Sequence, residues 1–192
     1  MSDFIGSGGQ QLYEEYAYVL DFMPFGKADG KPRYKAGSVV QLIGEAHFTL
    51  LEANVRTGVT LKINERVYVG KNLREEITYI IGRISFDELT TNAKMEIDNV
   101  IERMVLDKEK LFVNFFNNAQ ARTPRTHALE LIPGIGKKYM WKIIDERGRR
   151  PFNSFSDLQE RVNIINPAKM IAKRILEELE GSSKHRLFTR PV

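Results

Sequence analysis

Leu131-Ile132-Pro133-Gly134-Ile135-Gly136-Lys137-Lys138 is the stretch on which the reading of this chain turns. Two glycines one residue apart permit a tight turn with positive φ, where a Cβ would clash. Pro124 to Leu131, before the turn, reads as a short helix, and Lys137 to Arg147, after it, as another. A turn that opens directly into a helix leaves the first amides of that helix without a partner inside it. Those amides and the positive end of the helix dipole make a place for an anion. Lys137 and Lys138 add charge at the same spot, and the anion suited to a spread-out basic surface is a nucleic-acid phosphate. The plainer alternative is a hairpin that only packs helices or holds a protein partner.

The string Ile132-Pro133-Gly134-Ile135-Gly136 resembles the core of the helix-hairpin-helix motif, apolar-Pro-Gly-apolar-Gly followed by a helix. That resemblance implies backbone-phosphate contacts at Gly134, Ile135, Gly136, Lys137 and Lys138, made without reading sequence. Met140 stands where the family usually has a small residue. Further on, Ser154 is placed to cap a short helix carrying Phe155, Leu158 and Val162. Asn163-Ile164-Ile165-Asn166-Pro167 then leads into a helix to Glu180. This resembles the worn second copy of a tandem helix-hairpin-helix domain. Asparagine tolerates positive φ better than most residues, and Pro167 suits a first helical position. Lys169 and Lys173 are candidates for a second phosphate, and Arg122 and Arg125 flank Pro124 in the approach to the first hairpin.

Charge is distributed accordingly. Residues 1–121 hold 14 Lys and Arg against 17 Asp and Glu, whereas residues 122–192 hold 15 against 8. The half that carries the hairpins is the basic half, which favours a polyanionic partner for it. The 192 residues suit one or two domains, and 42% apolar with 28% charged residues is ordinary for a soluble globular protein. Zero cysteines exclude disulfides, thiol chemistry and the commonest zinc ligands. The chain contains no run of 18 apolar residues and no signal-like start, so a cytoplasmic location without membrane contact is expected.

Ahead of the basic half the residues alternate as strands do. Tyr16 to Phe22, Val39 to Ile43, His47 to Val55, a tight pair Leu61–Ile63 and Val67–Val69 about Asn64-Glu65, and Ile77 to Ile84 with a bulge at Gly82 are predicted strands. So many short strands joined by Gly- and Asp-rich turns point to a small antiparallel barrel, OB-like first and SH3-like second. Tyr16, Tyr18, Tyr68 and Tyr79 are candidate base-stacking rings, with core or rim packing as the alternative. From Leu89 the period becomes helical through Ala93, Ile97, Val100, Ile101 and Met104, and Thr90, Thr91 or Asn92 is placed to cap that helix. Residues 109–119 continue as helix.

The predicted architecture is therefore α+β: a flexible start (1–11), an OB-like barrel (12–86), a helical connector (87–121), a tandem helix-hairpin-helix domain (122–181) and a basic tail (182–192). In this order the chain resembles an archaeal family, domain of unknown function 655, regarded as OB-type nucleic-acid-binding proteins; it supplies no catalytic residue to carry over. The carboxylate pairs Glu14-Glu15, Glu75-Glu76 and Asp87-Glu88 are sequence neighbours that point apart, and the three histidines lie far apart. No enzyme, metal or cofactor is expected. The function expected is non-sequence-specific nucleic-acid binding, RNA slightly favoured over DNA, with a protein-interaction module as the alternative.

Overall fold

The computed structural model describes residues 13–26 and 37–190, so the predicted flexible start and most of the loop after Pro24 lie outside it. The fold is α+β: a curled antiparallel sheet of five strands, followed by helices. The strands are β1 (Tyr16–Met23), β2 (Val39–Gly44), β3 (Leu50–Val55), β4 (Arg66–Tyr68) and β5 (Ile77–Arg83), in the order β4-β1-β2-β3-β5. The register of β1 slips at Leu20, and that of β5 slips at Thr78 and Ile81. Each extra residue bends its strand and raises its twist, which curls the sheet. Its inner face carries Ala17, Val19, Val40, Leu42, Leu51, Ala53, Val55 and Val67 as one buried core. β4 and β5 are its two edges, so the sheet is open between them.

The other face bears a row of polar side chains on register partners of β1, β2 and β3: Asp21, Gln41 and Glu52. All three are buried, so each needs a partner. Gln41 Nε2 donates to Glu52 Oε2 (3.1 Å) and to the Glu88 carbonyl (3.0 Å), while its Oε1 accepts from the Thr90 N–H (2.8 Å). The Thr90 hydroxyl donates to Asp21 Oδ2 (2.7 Å) and accepts from the Ala93 N–H (3.1 Å). Of the three expected caps, Thr90 is thus the one used, and the same hydroxyl fixes helix α1 (Thr91–Asp107) to the sheet. The helical stripe Leu89, Ala93, Ile97, Val100, Ile101 and Met104 is buried throughout.

Two sheet expectations are corrected. The strand expected from His47 starts only at Leu50, because residues 45–47 form a turn. The buried Glu14 carboxylate holds that turn by accepting from the N–H groups of Ala46 (2.7 Å), His47 (3.0 Å) and Thr49 (3.2 Å). Leu61–Ile63 does not form a strand either. The segment after it bonds to β1 instead, through Asn64 N–H to the Val19 carbonyl (2.8 Å) and Val19 N–H to the Glu65 carbonyl (2.9 Å).

After α1 come α2 (Glu109–Asn118), β6 (Ala121–Thr123), β7 (Thr126–His127), a short 3-10 helix Ala128–Leu131, α3 (Lys137–Arg149), α4 (Phe155–Val162) and α5 (Pro167–Leu179). The helix expected over Pro124 to Leu131 is therefore a small β-hairpin turning at Pro124-Arg125, then a single 3-10 turn. Proline presets the φ of a turn position, and the helix cannot begin until His127 caps it. α3 also runs two residues past the expected Arg147. By contacts the chain divides into two compact units: Ile101–Glu177, and the sheet-bearing residues up to Val100 together with those from Glu178 on. Among the described residues no helix is long and apolar enough to cross a membrane.

The helical unit is tied together by polar bridges between segments. Asn117 brackets Phe152, accepting from its N–H (2.8 Å) and donating to its carbonyl (2.9 Å). Glu109 Oε1 accepts from the Phe155 N–H (2.6 Å). The Arg161 guanidinium reaches Glu146 and Asp157 (both 3.2 Å) and lies over the Phe152 ring.

Candidate nucleic-acid interface

The first hairpin is built by one turn. Ile132 and Ile135 are buried, and the Ile135 N–H donates to the Ile132 carbonyl (3.0 Å) across Pro133 and Gly134. Gly134 has φ +89°, which follows naturally a proline in the preceding turn position. A Cβ on Gly134 would also stand 2.9 Å from the Met170 methyl carbon. Glycine is thus required there by the backbone, while the end of the Met170 side chain, which can move aside, lies over the turn.

Gly136 is different. Its φ of −84° and ψ of −179° are ordinary extended backbone, and a Cβ there would meet nothing within 4 Å. The expectation that both glycines need positive φ holds only for Gly134. As N-cap of α3, Gly136 has no side chain to offer, and the first helical bond runs from the Met140 N–H to the Gly136 carbonyl (2.9 Å). The N–H groups of Gly136, Lys137, Lys138 and Tyr139 have no acceptor among the described residues. Lys137 and Lys138 are exposed around this mouth and form no ion pair among those residues.

The second hairpin is closed where the first is open. Asn163 and Asn166 adopt φ of 63° and 48°, the left-handed geometry that asparagine tolerates. The Asn166 side chain then turns onto its own helix, its Oδ1 accepting from the Lys169 N–H (3.0 Å). Pro167 brings no N–H. Ile165, between the two asparagines, is 84% exposed.

Of the residues singled out in the sequence, Gly134, Gly136, Lys137 and Lys138 converge on the mouth of α3. Ile135 does not reach it: its side chain is 3% exposed and its amide is used within the turn, so it anchors the hairpin. Lys169 and Lys173 lie exposed one turn apart on α5. Arg122 and Arg125 lie exposed on the β6–β7 hairpin. By contrast Arg149, Arg150 and Arg161 are engaged by Asp145, Glu146 and Asp157. Among the tyrosines, Tyr18 is buried, Tyr16 and Tyr68 pack edge to face at 5.3 Å with Arg66 over Tyr16, and Tyr79 is 52% exposed. Trp141 escaped the sequence reading. It is the one tryptophan, 64% exposed, and lies four residues from Lys137 and three from Lys138, so it shares their helix face. Counting the helical period outward from Lys137 would have found it.

His127 supports the approach to the hairpin. Its Nδ1 accepts from the Leu129 N–H (3.1 Å), and its own N–H donates to Glu130 (2.9 Å). Burial, and then the charge of Arg147, push its pKa below the usual 6.5. An acceptor Nδ1 also requires the neutral ring. Between that lowered value and 6.5 the unfolded chain binds more protons than the folded one, so stability is full above pH 6.5 and falls as the solution is acidified. Tm is expected to drop between pH 7 and pH 5 by more in the native chain than in His127→Asn, which keeps a capping oxygen that does not titrate. Equal drops would assign the acid sensitivity to other groups.

The family model described as "Protein of unknown function (DUF655)" matches residues 13–190. The chain belongs to the DUF655 family. An uncharacterized protein of Methanocaldococcus jannaschii, MJ0038, is 43% identical over 178 residues, which cover 93% of this chain and 80% of that protein. A crystal structure of the DUF655 protein Af1531 from Archaeoglobus fulgidus is 45% identical, covers 92% of this chain and all of its own, and superposes with a TM-score of 0.87. DUF655 membership thus extends over the sheet and both hairpins.

Proposed function

We propose that this protein binds nucleic acid through its sugar–phosphate backbone, using the first hairpin of a tandem helix-hairpin-helix domain attached to an OB-like sheet. The observation that carries the reading is the open mouth of α3: successive amides without acceptors, ringed by Lys137 and Lys138. An anion there gains both hydrogen bonds and the helix dipole. Phosphate contacts of this kind position a strand without reading its bases. The second hairpin, capped by Asn166, serves as its structural partner, with Lys169 and Lys173 extending the basic surface. Exposed aromatics such as Trp141 and Tyr79 suit unpaired bases better than a closed duplex, so a single strand is the expected ligand, RNA slightly favoured over DNA. The reading contains no catalytic step, metal or cofactor.

Titration of mixed-sequence RNA and DNA, single- and double-stranded, at several salt concentrations tests it. Affinity is expected to fall steeply with salt, with a log–log slope of roughly −0.7 to −0.9 for each phosphate contacted. Trp141 emission is expected to change as the complex forms. No binding at low salt, or an affinity indifferent to salt, would point to a protein partner instead.

A further inference from the structure

The two free edges of the curled sheet leave a cleft of about 380 Å³, within the roughly 300–1,000 Å³ typical of small-ligand sites. It lies wholly within the sheet-bearing unit and shares no residue with the hairpins. Its apolar side is the margin of the inner core, where Leu51 and Val69 are buried and Ile80 packs against them. Its polar side is cationic, with Lys71, Arg74 and Arg83 all lining it. The one acid in the lining, Glu14, has its carboxylate occupied by the three turn amides described above. The cleft therefore presents a positive rim over an apolar wall.

Arg74 of the rim is held in place before any ligand arrives. Arg74 Nε donates to the carbonyls of Gly70 (2.7 Å) and Val69 (3.3 Å), which fixes the plane of its guanidinium. The N–H groups of Val69 and Gly70 both donate to the Glu15 carbonyl (2.8 and 3.1 Å). A Cβ at Gly70 would lie 2.3 Å from the Tyr68 hydroxyl, so the Tyr68 ring packs over this glycine; that hydroxyl also accepts from the Asn72 N–H (3.3 Å). At the entrance the Lys71 ammonium sits 4.6 Å from the centre of the exposed Tyr13 ring. A preorganised arginine beside an ammonium suits a phosphate, and an aliphatic wall beside a tyrosine suits a flat ring.

We propose that this cleft binds a nucleoside monophosphate unit, free or at the end of a strand, with its phosphate on Lys71, Arg74 and Arg83 and its base against Leu51, Val69 and Ile80. The site is separate from the hairpin, so either can fail without the other.

Calorimetric and amide-shift titrations of the full chain with adenosine and uridine monophosphates test this, with adenosine and inorganic phosphate as partial ligands. The monophosphates are expected to bind and to shift the amides of Thr49, Leu51, Val69 and Gly70, with each partial ligand at least tenfold weaker. Lys71→Glu with Arg83→Glu, both at the surface, should weaken the monophosphates at least tenfold in a chain that still melts cooperatively. Lys137→Glu in the hairpin should leave their binding unchanged. Competition by a terminally phosphorylated oligonucleotide would identify a strand end as the source, and absence of competition a free nucleotide; both agree with the proposal. It is overturned if no monophosphate titrates at millimolar concentration, if inorganic phosphate binds as well as they do, or if the hairpin substitution rather than the cleft pair removes binding.

Discussion

Gly136→Val combined with Lys137→Glu is expected to weaken binding of single-stranded RNA by about 100-fold or more at moderate salt, with almost no change in the stability of the free protein. The two halves of this expectation have separate causes. A valine at 136 fits the observed extended backbone, and its Cβ meets nothing in the chain. It would nevertheless stand in front of the open amides. Valine is a poorer N-cap than glycine, at a cost of less than about 1 kcal/mol. A glutamate at 137 returns a similar amount, because a negative charge in the first turn of α3 is favoured by the dipole by about 0.3–1 kcal/mol. The substitution that improves the free helix is thus the one that repels the phosphate. Fluorescence anisotropy of a labelled strand, beside thermal melts of each variant, reads the two effects independently. Full retention of affinity by the double variant would remove the hairpin as the binding site.

Gly134→Ala supplies the contrast. At φ +89° an added Cβ strains the turn, whereas the Met170 methyl carbon 2.9 Å away is a side-chain end that can move aside. The expected cost is about 1–3 kcal/mol, with affinity lost only through the distorted hairpin. Two glycines of one motif therefore separate into one required by the fold and one that the fold would let go.

That separation marks how far the sequence could be read. The hairpin turn was legible because its logic is local: a proline, a left-handed glycine and two apolar anchors lie within four residues. The second hairpin was legible for the same reason, since asparagine at 163 and 166 announces positive φ. Gly136 was misread because its glycine answers no local backbone demand, and residue type alone does not show which glycine is free of one. Leu61–Ile63 alternates like a strand but lost that role when residues 64 and 65 bonded to β1. The strand expected from His47 was shortened by Glu14, more than thirty residues away. Both corrections come from long-range partners, which no local periodicity records. The barrel expectation survives as a curled open sheet because bulges at Leu20, Thr78 and Ile81 set curvature that alternation alone does not specify.

Glu178→Ala is expected to release the C-terminal segment. The sequence offered residues 182–192 as a basic tail, yet residues 187–189 are held by a buried carboxylate near the end of α5. Glu178 is 1% exposed, and it accepts from the N–H groups of Leu187 (2.7 Å), Phe188 (3.1 Å) and Thr189 (2.9 Å) and from the Thr189 hydroxyl (3.0 Å). Hydrogen bonds to a charged group contribute about 1.5–3 kcal/mol each, and a buried carboxylate is tolerable only while such donors surround it. Removing it orphans all four donors at once. The chain escapes that penalty by letting the segment detach and hydrate, so the loss is local opening rather than global unfolding. Amide exchange at Leu187, Phe188 and Thr189 should then accelerate by about 100-fold or more, equivalent to about 2.7 kcal/mol, while the β1–β3 amides keep their protection. Glu178→Gln retains an acceptor oxygen but gives up the charge, so its exchange rates should fall between the two. If the alanine variant leaves these three amides as protected as before, the carboxylate is not what holds the segment down. Faster exchange with undiminished affinity for RNA would in addition separate Arg186 and Arg190 from binding, leaving the mouth of α3 to carry it.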